Sequence, residues 1–578
     1  MCKVCGCTPT LEGFSKNESI KAKSNHLRGL IREELVEDTP AFTDESEQLL
    51  KFHGIYQQDD RDRRKEARAK GLDKHHQLMI RTRIPGGIVS ADAYIAHDDI
   101  SQRWANGTLR VTTRQDFQLH GVLKRDIKKS IRAINDALLT TLGGCGDQER
   151  NIMCCPEPLT DRFHGEVLRA IAEMVSALTP RTGAYHEIWL DGEVVKSSEP
   201  EVEPLYGEQY LPRKFKTTVA IEGDNCVDVY AHDLAIVAMR SAGRTNGDAS
   251  VRGFNVLVGG GLGRTHNKPE TFVAAAVPFA FVEPDQIVDV AREVVAVQRD
   301  YGDRTNRRHA RLKYTIAERG LDWFRGEVQR RLAFVLQAPE PLTWKPVDDH
   351  LGWHEQGDGK LYVGIYIENG RIADVGEVRS RTGLRRMVEE LRPQLRLTAQ
   401  QNVILAGIEP AQRPRVEELM AEHGIAAVDS IPRAIRYAMA CPAIPTCGLA
   451  VAEAERALPG LIRQLAGLLD ELGLADERIS FRMSGCPNGC SRPYLGDVGF
   501  VGTTLGKYDV MLAGDFNGTR LNRLYAPNVP LADIPSLLRP TLEAFRYERR
   551  PGEGFGDWVE RSGLERLRER FALSGAAS

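Results

Sequence analysis

The stretch LRVTTRQDFQLHGV, residues 109–122, returns at 395–408 as LRLTAQQNVILAGI. Both copies read as strands of one length with similar polar alternation, so the chain carries a duplicated unit with approximate twofold symmetry. Working outward, strand-like and helix-like segments alternate from Leu78 to about Leu142, and strands resume before the second copy at KLYVGIYIENGRIADVG. Between the copies, HEIWLDGE and KTTVAIEG read as strands and QIVDVAREVVAVQRDYG as a helix. The Pro-rich join APEPLTWKP marks a boundary near 338–346, and EAERALPGLIRQLAGLLDELG is an amphipathic helix in the last segment. Residues 1–78 are charged and irregular; QQDDRDRRKEARAKG is a solvated helix or arm by default, with partner docking as the sharper reading.

The repeated strands are more polar than a plain strand needs to be. Side chains alternate between faces, so Arg110, Thr112, Arg114, Asp116, Gln118 and His120 line one side of the first copy. Arg396, Thr398, Gln400 and Asn402 share a face of the second. A half-solvated sheet shows the same alternation, whereas two arginines and a histidine beside a glutamine also suit an anionic ligand. Further cations recur at strand spacing: Arg81 with Arg83 in MIRTRIPGG, and Lys214 with Lys216 in LPRKFKTTV. Such pairs repel unless an anion lies between them or solvent screens them. Arg150 in QERNIMCC adds to the count. The glycines of NVLVGGGLGRTH, 255–266, suit close approach to a large flat ligand, and RTNRRHARLKYT, 304–315, is a solvated basic helix or a holder of carboxylates.

Four cysteines near the C-terminus carry the sharpest chemistry. Cys441 and Cys447 stand in ACPAIPTCG, and Cys486 and Cys490 in SGCPNGCSRP. Two thiolate pairs can hold one iron–sulfur cube, and the surrounding Gly, Pro and Asn let backbone amides turn toward it. Structural zinc is the competing reading, although five residues between two ligands fit its usual pair spacing poorly.

The whole chain bounds the partners. With 77 basic against 80 acidic residues among 578, global charge argues for neither nucleic acid nor membrane. A zinc-stabilised protein gripping nucleic-acid phosphates is the non-enzyme alternative; the charge balance and the lack of interleaved aromatics speak against it. Eleven cysteines cannot all pair within the chain, MCKVCGCTPT lacks a signal-peptide core, and no apolar run is long enough to span a bilayer, which together fit a reducing cytoplasm. Cys2, Cys5 and Cys7 read as a mobile, oxidation-prone tail.

Taken together, FHGIYQQDDRD, RIPGG, TRQDFQLHG, RNIMCC, LPRKFKTTV, FNVLVGGGLG, GDRTNRR, AMACPAIPTC and SGCPNGCSRP resemble the sirohaem sulfite/nitrite reductase family, and within it the haemoprotein subunits of assimilatory sulfite reductase. The similarity runs from about Asn25 to about Val559. It implies an α/β (α+β) fold of two pseudo-symmetric halves of mixed sheets and helices, with the cofactors at their interface. The implied division is an N-terminal arm for partner docking (1–78), a first ferredoxin-like half domain (79–143), a sirohaem and substrate domain (144–338), a second half domain (339–412) and a cluster-binding domain (413–578). The resemblance further implies a [4Fe-4S] cluster on Cys441, Cys447, Cys486 and Cys490, with the Cys490 thiolate shared with the sirohaem iron. Arg114, Gln118, His120, Arg213, Arg307, Arg308, Arg311 and Gln401 match positions around the sirohaem carboxylates, and Arg81, Arg150, Lys214 and Lys216 an anion pocket on its distal face. The activity implied is six-electron reduction of sulfite to sulfide, with nitrite as the runner-up substrate. No flavin or NADPH module is evident, so electrons come from an NADPH-dependent flavoprotein subunit or, alternatively, a ferredoxin. Related enzymes can carry a Tyr–Cys bond near the haem, which makes a link between Tyr56 and Cys155 conceivable.

Overall fold

The computed structural model describes residues 12–181, 187–190, 193–197, 203–241 and 249–571. The tail with Cys2, Cys5 and Cys7 lies outside them. Each sequence repeat is not one strand but a hairpin. Leu109–Val111 pairs antiparallel with Phe117–Val122, and Gln394–Leu397 with Val403–Ile408. The turns close identically. Thr112 N–H donates to Asp116 O (2.9 Å) and Thr398 N–H to Asn402 O (2.9 Å). Each threonine hydroxyl also accepts backbone N–H groups across its turn: Arg114 and Asp116 in the first, Gln400 and Asn402 in the second. Gln115 (φ 56°) and Gln401 (φ 73°) take the left-handed corner. Short polar side chains that hydrogen-bond their own backbone stabilise turns, and alternation alone does not register them.

The two hairpins build two five-stranded sheets that exchange edges. The first runs Ile55–Asp59, His76–Arg81, Phe117–Val122, Leu109–Val111 and Arg371–Ile372, the last strand coming from the second half. The second runs Gly352–Glu355, Leu361–Ile365, Val403–Ile408, Gln394–Leu397 and Ile88–Val89, the last from the first half. Gly87 and Gly370 make the exchange possible. Both have positive φ, and a Cβ on either would collide with the carbonyl of Leu397 or Val111 in the opposite repeat. One apolar core, including Phe117, Leu119, Leu395 and Leu405, runs through both halves. Within the stretch read as an arm, Ile55–Asp59 is an edge strand, Phe52 and Leu27 pack into the central core, and the helix Arg64–Ala69 buries nothing.

A central mixed sheet follows the order Val277–Val282, Val251–Val258, Leu234–Arg240, Thr217–Ile221, Gly223–Asp224 and Trp344–Lys345, with Met153–Cys154 alongside Thr217–Ile221. The join read at 338–346 thus ends in a strand of this sheet. Helices Arg162–Leu178 and Ile287–Tyr301 contribute buried apolar faces to its core. A last sheet, Ala438–Ala440, Phe481–Ser484, Val498–Thr504, Lys507–Leu512 and Arg523–Pro530, is backed by Leu458–Glu471 and Ile534–Glu548. Among the described residues no helix is long and apolar enough to cross a membrane.

The half-domain core contains a titratable group with a measurable consequence. His97 is fully buried; its Nδ1–H donates to Ala93 O (2.7 Å) and Nε2 accepts from the Thr82 hydroxyl (2.8 Å). Burial pushes its pKa down to about 4. An unfolded histidine protonates near 6.5, so this contribution to stability is whole above that pH and is lost as pH falls toward 4. We expect the stability gap between wild type and His97→Gln to shrink by about 3 kcal/mol from pH 7 to pH 4. Urea unfolding at several pH values tests this; parallel profiles for the two proteins contradict it.

Candidate active site

The first cysteine pair leaves the end of Ala438–Ala440 and the second the end of Phe481–Ser484, which are parallel neighbours. Parallel strands bring both loops to one edge of the sheet. Gly485 N–H points at Cys441 Sγ (3.3 Å) and the Asn488 side-chain amide at Cys486 Sγ (3.5 Å). Burial raises the Cys441, Cys447 and Cys486 thiols above their usual range, and the neighbouring Cys490 raises all three further, Cys486 to about 12. Crowded thiols resist becoming four thiolates unless metal cations lie among them. Among the described residues, the one set of three or more Cys, His, Asp or Glu ligand atoms mutually within 4.8 Å lies elsewhere. A tetrahedral zinc would need sulfur–sulfur edges of about 3.8 Å. Four crowded but separated sulfurs with amides turned on them fit a cube of several irons.

Arg492, two residues past Cys490, locks this loop to both repeats. Its Nη1 donates to Thr113 O (2.8 Å) and its Nη2 to Ala399 O (2.8 Å), which are equivalent carbonyls of the two hairpin turns. Asp228, itself left-handed at φ 51°, pairs with Arg492 and with Arg482 (2.7 Å). Thr113 Oγ1 donates to Cys490 O (2.9 Å). The cluster loop therefore sits where the two halves meet. Arg61 holds the other pair through Cys447 O (2.9 Å) and Ala450 O (2.6 Å), and Glu455 joins Arg110 of the first half to Arg371 of the second (2.7 Å).

Cys490 is exposed and lies within electrostatic reach of Arg81 and Lys214. Lys214 and Lys216 are half-buried side chains whose ammonium groups lie deep in the fold. Among the described residues neither has a carboxylate or other hydrogen-bond partner. Burial lowers both pKa values well below the ordinary ammonium range; Arg213 and Arg150 lower Lys214 further, and Arg114 and Lys214 lower Lys216 further. Among the described residues the Arg150 side chain reaches Gly146 O (3.3 Å), and Arg81 reaches Cys145 Sγ (2.9 Å). Tyr56 lies within electrostatic reach of Cys145, so the tyrosine's cysteine neighbour is Cys145. Cys155 instead faces Asp224 and His350, and the Tyr56–Cys155 link is thereby corrected. A cleft of about 360 Å³ beside this group is lined by Tyr56, Asp147, Arg150, Arg213 and Arg307.

The remaining expected residues divide. Arg114 donates to Asn151 O and lies within reach of Arg81 and Arg150. With its amide oxygen turned to Arg81 Nε (3.1 Å), Gln118 presents its NH2 to His120 Nε2, which leaves His120 Nδ1–H buried and, among the described residues, unpartnered. The Oε1 of Gln401 is also buried and, among the described residues, has no partner. Arg307 and Arg311 hold carboxylates of the protein itself, Asp147 (2.6 Å) and Asp233 (2.6 Å). Despite burial, Arg307, Lys21 and Arg213 hold the Asp147 carboxyl far below its usual range. Arg308 is exposed and is not drawn into the group. Residues 304–310 form turns, and the helix starts only at Leu312, so the basic stretch is not a solvated helix. The glycine-rich loop packs closely against other protein segments. Gly260 abuts the carbonyls of Tyr230 and His232, Gly261 abuts Arg311, and Gly263 abuts Asn488 of the cysteine loop, so these glycines allow protein-to-protein approach. Asp228, Arg492 and Cys145 escaped the sequence reading, although Arg492 stands in the same motif as Cys490.

Residues 174–336 and 435–574 match the nitrite and sulphite reductase 4Fe-4S domain, and residues 70–137 and 354–423 the nitrite/sulfite reductase ferredoxin-like half domain. Such matches place the chain among oxidoreductases with an iron–sulfur domain. It belongs to the nitrite and sulfite reductase family. It is 46% identical over 553 residues to the sulfite reductase (NADPH) hemoprotein beta-component of Methylobacterium sp. (strain 4-46), covering 95% of this chain and 91% of that protein. It is 44% identical over 584 residues to the sulfite reductase (ferredoxin) of Synechococcus elongatus, covering 97% and 92%. The solved structure of the Mycobacterium tuberculosis NirA protein shares its fold, with a TM-score of 0.76 at 24% identity over 96% of this chain and 98% of that one.

Proposed function

We propose that the chain reduces sulfite to sulfide as the haemoprotein component of an assimilatory sulfite reductase, working in the cytoplasm toward cysteine biosynthesis. One observation carries this reading: Cys490 of the thiol quartet lies within electrostatic reach of Lys214 and Arg81, among half-buried cations whose lysines have no carboxylate partner among the described residues. A thiolate-held redox centre beside an uncompensated cationic pocket suits an electron-consuming reaction of an oxyanion. Cys441, Cys447, Cys486 and Cys490 would hold the [4Fe-4S] cluster, with Cys490 shared with the sirohaem iron. Arg114, Gln118, His120, Arg213, Arg307, Arg311 and Gln401 would receive the sirohaem carboxylates, Arg307 and Arg311 while keeping their aspartates. When bound, these groups would supply the electrons and the iron that holds the substrate sulfur.

The chain's own residues account for the rest of the balance. Hydrogensulfite, six electrons and six protons give hydrogensulfide and three waters. The guanidinium forks of Arg81 and Arg150 orient the oxygens; Lys214 and Lys216 can also give up a proton. Their lowered pKa values couple the two tasks, because an arriving anion raises them and draws protons into the pocket with the substrate. The electrons come from a separate protein, which we take to be an NADPH-dependent flavoprotein docking near the N-terminal segment. Ferredoxin is the second reading, favoured by the name of the cyanobacterial relative. With a chemical reductant under anaerobic conditions, sulfide formation from sulfite is expected to exceed ammonia formation from nitrite in kcat/KM. The opposite ranking overturns the substrate assignment, and reduction by ferredoxin but not flavoprotein overturns the donor.

A further inference from the structure

Apart from the cation pocket, four side chains unused by the chemistry above converge where the central sheet meets the second half domain. Cys155 follows the edge strand Met153–Cys154, and Asp224 and Cys226 follow Thr217–Ile221. His350, at φ 56°, leads into Gly352–Glu355. All four are buried, and one ligand atom from each lies within 4.8 Å of the others. Asp224 Oδ2 is 3.2 Å from Cys155 Sγ and 3.0 Å from His350 Nε2, which is 3.7 Å from Cys155 Sγ.

These separations resemble the edges of a coordination tetrahedron. Zinc bonds of about 2.3 Å to sulfur and about 2.1 Å to nitrogen or oxygen give sulfur–nitrogen and sulfur–oxygen edges near 3.6 Å and a nitrogen–oxygen edge near 3.4 Å. Hydrogen bonding accounts for the aspartate contacts, but a thiol is a weak hydrogen-bonding group and gives little reason for a second one, Cys226, in the same buried cluster. The outer atoms are already directed. Asp224 Oδ1 accepts the Cys226 N–H (2.7 Å), which leaves Oδ2 turned inward. His350 Nδ1 lies 3.8 Å from Glu157, which leaves Nε2 inward, the arrangement in which an outer carboxylate orients a ligating imidazole.

We propose that Cys155, Asp224, Cys226 and His350 form a structural zinc site that fastens the second half domain to the central sheet. Two thiolates with an imidazole and a carboxylate favour zinc over magnesium or calcium, and four protein ligands leave no position open for catalysis. The site is separate from the four cysteines of the proposed cluster. Full-length holoprotein, freed of loosely held metal by chelator-treated buffer, is analysed for zinc and iron together and by zinc-edge X-ray absorption. About one zinc per chain, with two sulfur neighbours near 2.3 Å, is expected. Cys226→Ser and His350→Gln are each expected to reduce retained zinc by roughly tenfold or more while iron and haem absorbance persist. Wild-type protein that takes up no zinc when supplied with zinc chloride, zinc that both variants retain, or a Cys155–Cys226 disulfide in anaerobic preparations overturns the proposal. Should the variants fail to fold, the wild-type absorption spectrum alone decides, since a sulfur-free zinc shell also overturns it.

Discussion

Replacing Cys490 with serine is expected to take sulfite reduction to background while the fold persists. The side chain is exposed at the seam between the halves, so the change opens no cavity. Its backbone is held from outside the side chain, by Thr113 Oγ1 on the Cys490 carbonyl and by Arg492 on the two turn carbonyls. Serine therefore occupies the same place but offers a hard, weakly acidic oxygen where soft iron favours thiolate. As the thiol of the quartet within electrostatic reach of Arg81 and Lys214, Cys490 is the one whose loss should separate the electron source from the anion pocket. Rates with a chemical reductant, iron and acid-labile sulfide content and the visible spectrum are measured together. Wild-type turnover by the variant removes Cys490 from the centre.

Lys216→Met is expected to lower kcat/KM for sulfite by a factor on the order of 100 to 1,000. Methionine keeps the length and apolar stem of the side chain and removes a charge that has no carboxylate to leave stranded. Lys216→Arg separates the two proposed roles: arginine restores charge, and with it KM, but donates protons poorly and should leave kcat low. The pH dependence has a definite sign. Burial, and then Arg114 and Lys214, lower the Lys216 pKa, so in the empty pocket the ammonium form is lost earlier than for an ordinary lysine as pH rises. Anion binding needs that form, so KM should climb with pH in the wild type and less steeply in the methionine variant. Unchanged kcat/KM in Lys216→Met, or identical pH profiles of KM, refutes the pocket assignment.

The contrast between Lys216 and Arg311 shows how far local pattern reaches. Both stand in conspicuously basic stretches. Only folding shows that Arg311 meets Asp233 and Arg307 meets Asp147, while Lys214 and Lys216 meet no carboxylate among the described residues. Similarly, 109–122 displayed its polar alternation plainly, yet the hydroxyl of Thr112 and the left-handed Gln115 turn it back on itself. The exchange of edge strands between halves left no trace in either repeat, because strand partners are chosen by apolar faces meeting in space. The cysteine beside Tyr56 is Cys145 rather than Cys155, a pairing that the order of residues does not show.

Ligand chemistry and duplication are written in the order of residues: which thiols come in pairs, which turn motif recurs, which strands carry cations. Those features are local, since backbone geometry and side-chain type act over a few positions. Charge balance is not local. The carboxylates that neutralise Arg307, Arg311 and Arg492 come from Asp147, Asp233 and Asp228, far away along the chain. Coulomb energy depends on distance through space and on burial, so which cations were left free for an anion was settled when the two halves and the cysteine loops packed together.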